Sequence, residues 1–500
     1  MSFSLALTPA QQDLVERTHA FARDVIRPAA EYHDREQEFP WEILEQAARE
    51  GFYNPLFYRD LIGDPTGLSL PLFMEELFWG CAGIGLSIVM PALALSAIAQ
   101  AATPAQLLRW APECFGMPGA LKLAALAISE PEGGSDVRNL RTTARREGGE
   151  WVLDGHKIWI GNGGMADVHV VNATVDPELG HRGQALFIVP KGTPGLTLVR
   201  KLDKLGCRAS HTAEIRFDGC RVPADHLLGG DAKLERRLAR ARKSGAGANG
   251  SSGDATSDVP AAAAGGSSPA GSPAACSSAN GARPAGGGSA TLGAFEQTRP
   301  MVAAQALGIG RAALEFACDW ASRREAFGGP ILDKQGISFP LADLAADLDA
   351  ARLLTWRASW MAAQNVPYHH AEGSMSKLKA SEVAVRITEQ AIQVAGGWGY
   401  IRDLPVEKWY RDAKLYTIFE GTSEIQRLVI GRTLGDAATE APLHHRTRTD
   451  GAAIGRTLGR GTKRRSLAAG AAMRAAQKTP PSLLRPAMRI LGPPQRPRDE

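Results

Sequence analysis

The sequence predicts an α+β chain of several domains: a helical N-terminal domain, a small β-barrel or sandwich in the middle, and a C-terminal four-helix bundle. Three observations carry this. Apolar residues recur at helical spacing through residues 1–125 and again through 291–435. Between them, residues 126–232 switch to short alternating runs parted by turn residues, the pattern of a small barrel or sandwich. Two remaining stretches, 233–290 and 436–500, match neither pattern. At 44% hydrophobic and 22% charged over 500 residues, the composition is that of an ordinary globular protein of two to four domains.

In the N-terminal domain, Thr8-Pro9 starts a helix that carries Leu14, Phe21 and Val25 on one face. Trp41, Ile43 and Leu44 begin another, ended near Gly51, and Glu75-Glu76-Leu77 sits in a third. The small, apolar run from Ala82 to Ala102 follows as buried helix. The uncharged stretch Leu77–Leu108 is broken by glycines and prolines, so no apolar run approaches a membrane span and no stable membrane insertion is expected. The first basic residue is Arg17, with no cationic segment leading into an apolar one, so no signal or transit peptide is expected either.

In the middle domain, Gly148-Gly149 turns the chain between Thr142–Arg146 and Trp151–Leu153. Leu186–Val189 is a short apolar run, and Thr212–Phe217 alternates so that one face is buried. From 233 the composition turns basic (Lys233 to Lys243) and then to Gly, Ser, Ala and Pro until about 290. Such a stretch buries too little apolar surface to offset chain entropy, and 233–290 reads as a disordered insertion. Helical pattern returns with Ile337, Leu341, Leu344, Leu348 and Ala351, and with Leu378, Ser381, Val385, Thr388, Ile392 and Ala395. Long helices of this kind build a bundle. Residues 436–500, rich in Arg, Ala and Pro, read as a basic, disordered tail.

Composition excludes several function classes. The six cysteines are scattered, which points to reduced thiols in a cytoplasm and to neither a zinc site nor a disulfide framework. Residues 436–500 hold thirteen Lys/Arg and five Asp/Glu, so +8, leaving −4 for the rest of a chain whose net charge is +4. The main body is therefore not basic, which argues against nucleic-acid binding.

The stretch with most chemistry in it is Phe419-Glu420-Gly421-Thr422-Ser423-Glu424. Gly421 gives the backbone freedom beside Glu420, and Thr422 or Ser423 is suited to cap the helix that follows. A carboxylate held on such a turn fits a general base. It fits equally a solvated acid at a helix start.

The wider sequence resembles the acyl-CoA dehydrogenases over most of residues 1–435. Three motifs in order carry the resemblance: Ala127-Ile128-Ser129-Glu130-Pro131-Glu132-Gly133-Gly134-Ser135-Asp136, then Gln393-Val394-Ala395-Gly396-Gly397-Trp398-Gly399-Tyr400-Ile401-Arg402-Asp403 with Lys408 and Asp412, then the Glu420 stretch. The resemblance implies the α, β, α architecture and a FAD-dependent α,β-dehydrogenation of an acyl-CoA thioester, with electrons passed to an electron-transfer flavoprotein. Removing an α-proton and a β-hydride needs a base, a hydride acceptor and donors on the thioester carbonyl. The redox chemistry is the cofactor's.

By the same resemblance Glu420 is the base. Some relatives place the base at the position of Thr298, which has no carboxylate. Glu296 and Arg299 then face the CoA portion, with Phe419, Gly421 and Arg432 also near substrate. Ser129 bonds the flavin and Ser135 faces substrate or pyrophosphate. Trp159, in Gly155-His156-Lys157-Ile158-Trp159-Ile160-Gly161, shields the ring. The sequence departs at Gly161, where the family usually carries Thr or Ser, whose hydroxyl bonds flavin N5. Arg324, Phe327 and Gln335 contact FAD at a subunit interface, Gln393, Gly396 and Gly397 do so from a neighbouring subunit, and Thr422 and Glu424 complete the contacts. A shared FAD implies a homo-oligomer, most often a tetramer. No metal is implied. The alternatives are an acyl-CoA oxidase, or one subunit of a hetero-oligomeric dehydrogenase. The run between Glu76 and Arg109 holds no cation to pair a distal carboxylate, which favours an apolar acyl group over a dicarboxylyl one.

Overall fold

The computed structural model describes residues 5–246 and 290–440, the side chains of 244–246, 290–297 and 435–440 excepted. The chain forms two compact units, Met1–Ile430 and Gly431–Glu500. The low-complexity residues 247–289 and the tail from 441 lie outside the described residues, and so do the expectations made for them.

The first unit begins with seven helices: α1 Pro9–Phe21, α2 Arg27–Glu36, α3 Trp41–Arg49, α4 Pro55–Gly63, α5 Ser69–Gly80, α6 Ala82–Ala101 and α7 Pro104–Trp110. Thr8 caps α1 as predicted, and Gln11 returns the bond to complete a capping box. Helix α6 is the buried helix predicted for Ala82–Ala102, and it corrects only the reading that no apolar run approaches a membrane span. It is one helix of 20 residues that includes Pro91 and is long and apolar enough to span a membrane, yet most of it is buried in the protein core. Pro91 removes one donor, and neighbouring helices supply the packing that holds the helix together.

The middle domain is one seven-stranded sheet following a two-residue hairpin, β1 Gly116–Met117 and β2 Ala120–Leu121. Its strands are β3 Ala124–Ala127, β4 Thr143–Glu147, β5 Glu150–Gly161, β6 Val168–Thr174, β7 Gln184–Pro190, β8 Leu196–Lys201 and β9 Thr212–Pro223, in the order β3-β6-β4-β5-β9-β8 with β7 on β6. The Gly148-Gly149 hairpin pairs β4 and β5 with Arg146 opposite Trp151. The sheet continues into α8, Asp231–Ala246. Residues 233–246 thus correct the reading of 233–290 as disordered from its first residue. Leu234 and Ala241 are buried, and Arg237 donates to the Gln184 carbonyl, so the charged stretch has an apolar face on the β domain.

Four long helices close the unit: α9 Ala290–Arg323, α10 Gln335–Ala363, α11 Glu372–Ala395 and α12 Val406–Tyr416, with the small hairpin β10 Glu325–Ala326 and β11 Gly329–Pro330 after α9, and α13 Ser423–Glu440 last. Arg299 meets Ser374, and Gly310 lies against Ala384 and Ile387, so α9 and α11 run parallel. Helices α10 and α12 run against them, which makes the predicted four-helix bundle. The stripe predicted on α10 is the buried one. On α11 the predicted Ser381, Thr388 and Ala395 are buried and Leu378, Val385 and Ile392 half-buried, while Lys377, Ala380, Ala384, Ala391 and Val394 also point inward. Small residues there let the helices approach closely.

Two buried ion networks join the domains. Arg311 of α9 pairs with Glu75 and Glu76 of α5, Glu76 also takes His19, and Arg352 of α10 pairs with Glu75. Burial would push the Glu76 carboxyl up, but Arg311 and His19 hold it down at about 2. The second network centres on Asp412, which pairs with Lys408 and accepts the Cys207 N–H, while Lys408 also reaches the Cys81 thiol at 3.2 Å.

Candidate functional site

The two motifs of the β domain are tied to each other. Glu130 accepts from the backbone N–H of Arg141 and Thr142 at 2.6 and 2.9 Å, and pairs at 2.8 Å with Lys157, which also bonds the Ile128 carbonyl at 2.8 Å. Burial would raise Glu130, and these partners outweigh it and hold its carboxyl below the usual range; burial brings the Lys157 ammonium down to about 8. The Glu–Pro–Glu–Gly–Gly–Ser loop is therefore anchored from inside, with Gly133 buried and Gly134 facing outward. A Cβ at Gly134 would lie 3.6 Å from Cζ3 of the Trp159 ring. Trp159 sits at φ +60° with 55% of its surface exposed. A left-handed tryptophan costs about 1–2 kcal/mol, and its position presents a bare aromatic plate at the end of β5. Ser129 is half-buried, with its carbonyl holding the Ile158 N–H, and Ser135 is exposed. A flat aromatic plate beside a glycine loop with serine donors fits an isoalloxazine ring.

Gly161 pairs with Thr212 at the end of β5. A Cβ there would lie 2.7 Å from both Sδ and Cε of Met90, on α6. Met90 fills the space that a Thr or Ser at 161 would need. We expect Gly161→Thr and Met90→Ala to be coupled in a double-mutant cycle, by about 0.5–3 kcal/mol in urea unfolding, because the threonine is accommodated only once the thioether leaves. Additive effects would show that Met90 yields freely.

The base region is built from three helices and a strained turn. Glu420 sits at φ +53° and Gly421 at +90°. Two side chains hold that turn: Lys377 donates to the Gly421 carbonyl at 2.7 Å, and Gln426 donates to the carbonyls of Glu420 and Gly421 at 3.2 and 2.9 Å. Thr422 caps α13, its Oγ1 accepting the Ile425 N–H at 3.3 Å, and Phe419 packs on Tyr416. Thr298 Oγ1 donates to Glu420 Oε2 at 3.2 Å. The position that carries the base in some relatives thus touches the carboxylate that resembles the base here. Burial pushes the Glu420 carboxyl up, while the Thr298 bond and the charges of Lys377 and Arg299 pull it back. Arg299 is buried and donates to Ser374 at 2.7 Å, so it is not a surface residue at a helix start. An apolar cleft of about 440 Å³ opens beside Thr298, lined by Tyr58, Leu95, Ala99, Leu107 and Met301 among others. Arg59 is the one charged residue of its described lining, and it is paired with Asp60 at 2.7 Å.

The remaining predicted contacts lie elsewhere. Arg324, Phe327, Gln335, Gln393, Gly396 and Gly397 are all outward, Phe327 with 92% of its surface exposed. They gather at the end of the bundle where Phe316 of α9 meets Trp409 of α12. Along α11, Gln393 is sixteen residues beyond Lys377, about 24 Å at helical rise. The donors Arg324, Gln335 and Gln393, with the open glycines, fit a pyrophosphate and nucleoside, but one chain holds them a bundle length from the base. Glu424 is exposed in the first turn of α13. Glu296 is on α9 with its side chain outside the description, and Arg432 belongs to the second unit. Among the described residues no cluster suited to a metal occurs.

Sequence reasoning missed Lys377, Ser374, Gln426 and Met90. Lys377 left a signal: it stands four residues before Ser381 and eleven before Thr388, on the inward stripe of α11. The Lys408–Asp412 part of the second motif proves to be a buried structural pair.

Comparison with known proteins agrees with this geometry. The acyl-CoA dehydrogenase N-terminal, middle and C-terminal domains match residues 8–117, 125–220 and 285–435. The mitochondrial short-chain specific acyl-CoA dehydrogenase of Bos taurus is 36% identical over 430 residues, covering 85% of this chain and 90% of that one. The solved structure of butyryl-CoA dehydrogenase from Megasphaera elsdenii is 30% identical with a TM-score of 0.69, covering 86% of this chain and 99% of that one. A chain in the structure described as the electron transferring flavoprotein of Acidaminococcus fermentans is 29% identical with a TM-score of 0.70, covering 86% and 99%.

Proposed function

Because the chain belongs to the acyl-CoA dehydrogenase family, whose FAD-dependent oxidation of a CH–CH bond in acyl-CoA thioesters is its activity, we propose that its substrate is a short, apolar acyl-CoA and that Glu420 is the base. The observation that carries this is the placing of Glu420: a desolvated carboxylate held by Thr298, which lines the cleft, and on a turn gripped by Lys377 and Gln426. FAD, when bound, supplies the acceptor for the β-hydride. Glu420 takes the α-proton. Desolvation makes its carboxylate a stronger base than one in water. The apolar cleft orients the acyl chain and excludes water, and offers no unpaired cation to a distal carboxylate among its described lining. The short-chain relatives support a four-carbon class of substrate.

An electron-transfer flavoprotein then takes the electrons, and the product is the trans-2-enoyl-CoA. The bundle-end donors, a bundle length from the base, together with the exposed Phe327, Trp398 and Tyr400, support a homotetramer in which one subunit completes the cofactor site of another. Buried free thiols at Cys81, Cys114, Cys207 and Cys220 fit a reducing cytoplasm. The test is anaerobic titration of the flavoprotein with acyl-CoAs of increasing chain length, watching flavin bleaching. Bleaching by butyryl-CoA ahead of longer and dicarboxylyl thioesters is the expected result. Bound flavin that no acyl-CoA bleaches would overturn the reading.

A further inference from the structure

Lys377 has no solvent-exposed surface and lies on the inward stripe of α11. A buried ammonium is costly unless bonded and paired. It donates to a backbone carbonyl, that of Gly421, immediately after the base. The turn it holds is strained at Glu420, at φ +53°, and continues through the left-handed Gly421, which adopts such a φ freely. We propose that Lys377 is a positioning residue for Glu420: it fixes the left-handed turn from beneath and keeps a positive charge facing the carboxylate.

The charged groups around this pair come from three helices. Lys377 faces Glu420 and, more distantly, Glu424 of α13 and Glu382 on its own helix; Arg299 of α9 faces both Lys377 and Glu420. Glu424 is exposed and Glu382 only half-buried, so the buried part of the set is Lys377 and Arg299 with Glu420. Burial alone would raise the Glu420 carboxyl further, and a protonated base takes no proton. Burial also lowers Lys377, to about 8, against the pull of Glu420. Each group thus keeps the other charged where catalysis needs it. The bond to Gly421 adds a second duty, because a turn that relaxed to ordinary φ would swing the carboxylate away from Thr298.

This rests on the reading of Glu420 as base, and the test separates the two. The pH profile of kcat/KM is measured for wild type, Lys377→Gln and Lys377→Arg, with flavin content and melting recorded for each. In Lys377→Gln the acid limb is expected to move up by about one pH unit or more, since a facing cation is gone. In Lys377→Arg the limb stays near wild type and kcat falls with KM little changed, because the charge survives and the grip on Gly421 does not. A second readout needs neither flavin nor turnover: the carboxyl infrared band of Glu420 in the FAD-free protein, found by difference from Glu420→Gln, titrates at higher pH in Lys377→Gln than in wild type. An unmoved limb and band in a folded Lys377→Gln overturn the proposal. Should Lys377→Gln not fold, a limb shifted in Lys377→Arg overturns it and an unshifted one supports it. Absence of acyl-CoA turnover in wild type would defeat the base reading, while the infrared titration still decides the role of Lys377.

Discussion

Glu420→Gln is expected to lower kcat/KM for the acyl-CoA by about 10²–10⁴-fold, the contribution of a positioned base. The amide keeps the shape and the contact with Thr298 Oγ1 but takes no proton. Flavin binding is expected to persist, because the aromatic plate of Trp159 and the serine and arginine donors lie on other elements. Stopped-flow reduction under anaerobic conditions checks both: the flavin spectrum should be present and its bleaching lost. A variant that bleached within a few-fold of wild type would move the base elsewhere. A second variant, Thr298→Glu with Glu420→Gln, asks whether the neighbouring position can take over. Thr298 touches the Glu420 carboxylate at 3.2 Å, so a carboxylate there starts from the adjacent wall, and partial recovery is expected.

The largest stability effect is expected at Arg311, which is buried and pairs with both Glu75 and Glu76. Arg311→Met would keep the packing volume but leave Glu76 with His19 alone, while Glu75 keeps Arg352. Removing one partner of a buried pair costs about 3–5 kcal/mol, which urea unfolding reads directly. The pH dependence gives the sign. Glu76 is held at about 2 in the fold against an ordinary value of 4.5. A depressed carboxyl contributes stability that is present above the ordinary value and lost as pH falls toward the folded one. Without Arg311 this contribution goes, so the difference between variant and wild type should be largest at neutral pH and shrink below about pH 4.5, as Glu76 protonates.

Much of the fold was legible because burial imposes a period. The stripe Leu341, Leu344, Leu348, Ala351 is the buried face of α10, and the Gly148-Gly149 hairpin forms where the turn residues stood. Two readings needed correction, for different reasons. Helix α8 was hidden by charge, because Arg237 buries its stem while its head reaches a carbonyl, and a residue scale sees only the head. Helix α6 was foreseen as buried helix but not as an unbroken run of membrane-span length, because Pro91 and its glycines weaken an isolated helix, whereas tertiary packing sustains this one. The site divides the same way. Glu420 and Thr298 stood out from their motifs and proved to touch. Lys377 did not, since a lysine among serines reads as surface until its register on α11 is known. Glu130 and Lys157 stood within quoted motifs, yet their mutual pairing across 27 residues of sequence becomes visible only when β5 folds back on the loop.

Asp412 joins three parts of the chain that are far apart in sequence. It sits on α12, holds the backbone of Cys207 between β8 and β9, and pairs with the lysine that touches Cys81 at the junction of α5 and α6. An ion pair shared in this way belongs to no one domain. Detaching the sheet would remove the Cys207 N–H from this pair, and peeling away the first helices would remove the Cys81 thiol, so neither can loosen without weakening what holds the buried pair. Cooperativity on the scale of the whole unit is thus written into one aspartate, and a fragment cut at a domain boundary keeps the pair but loses a partner that completes it.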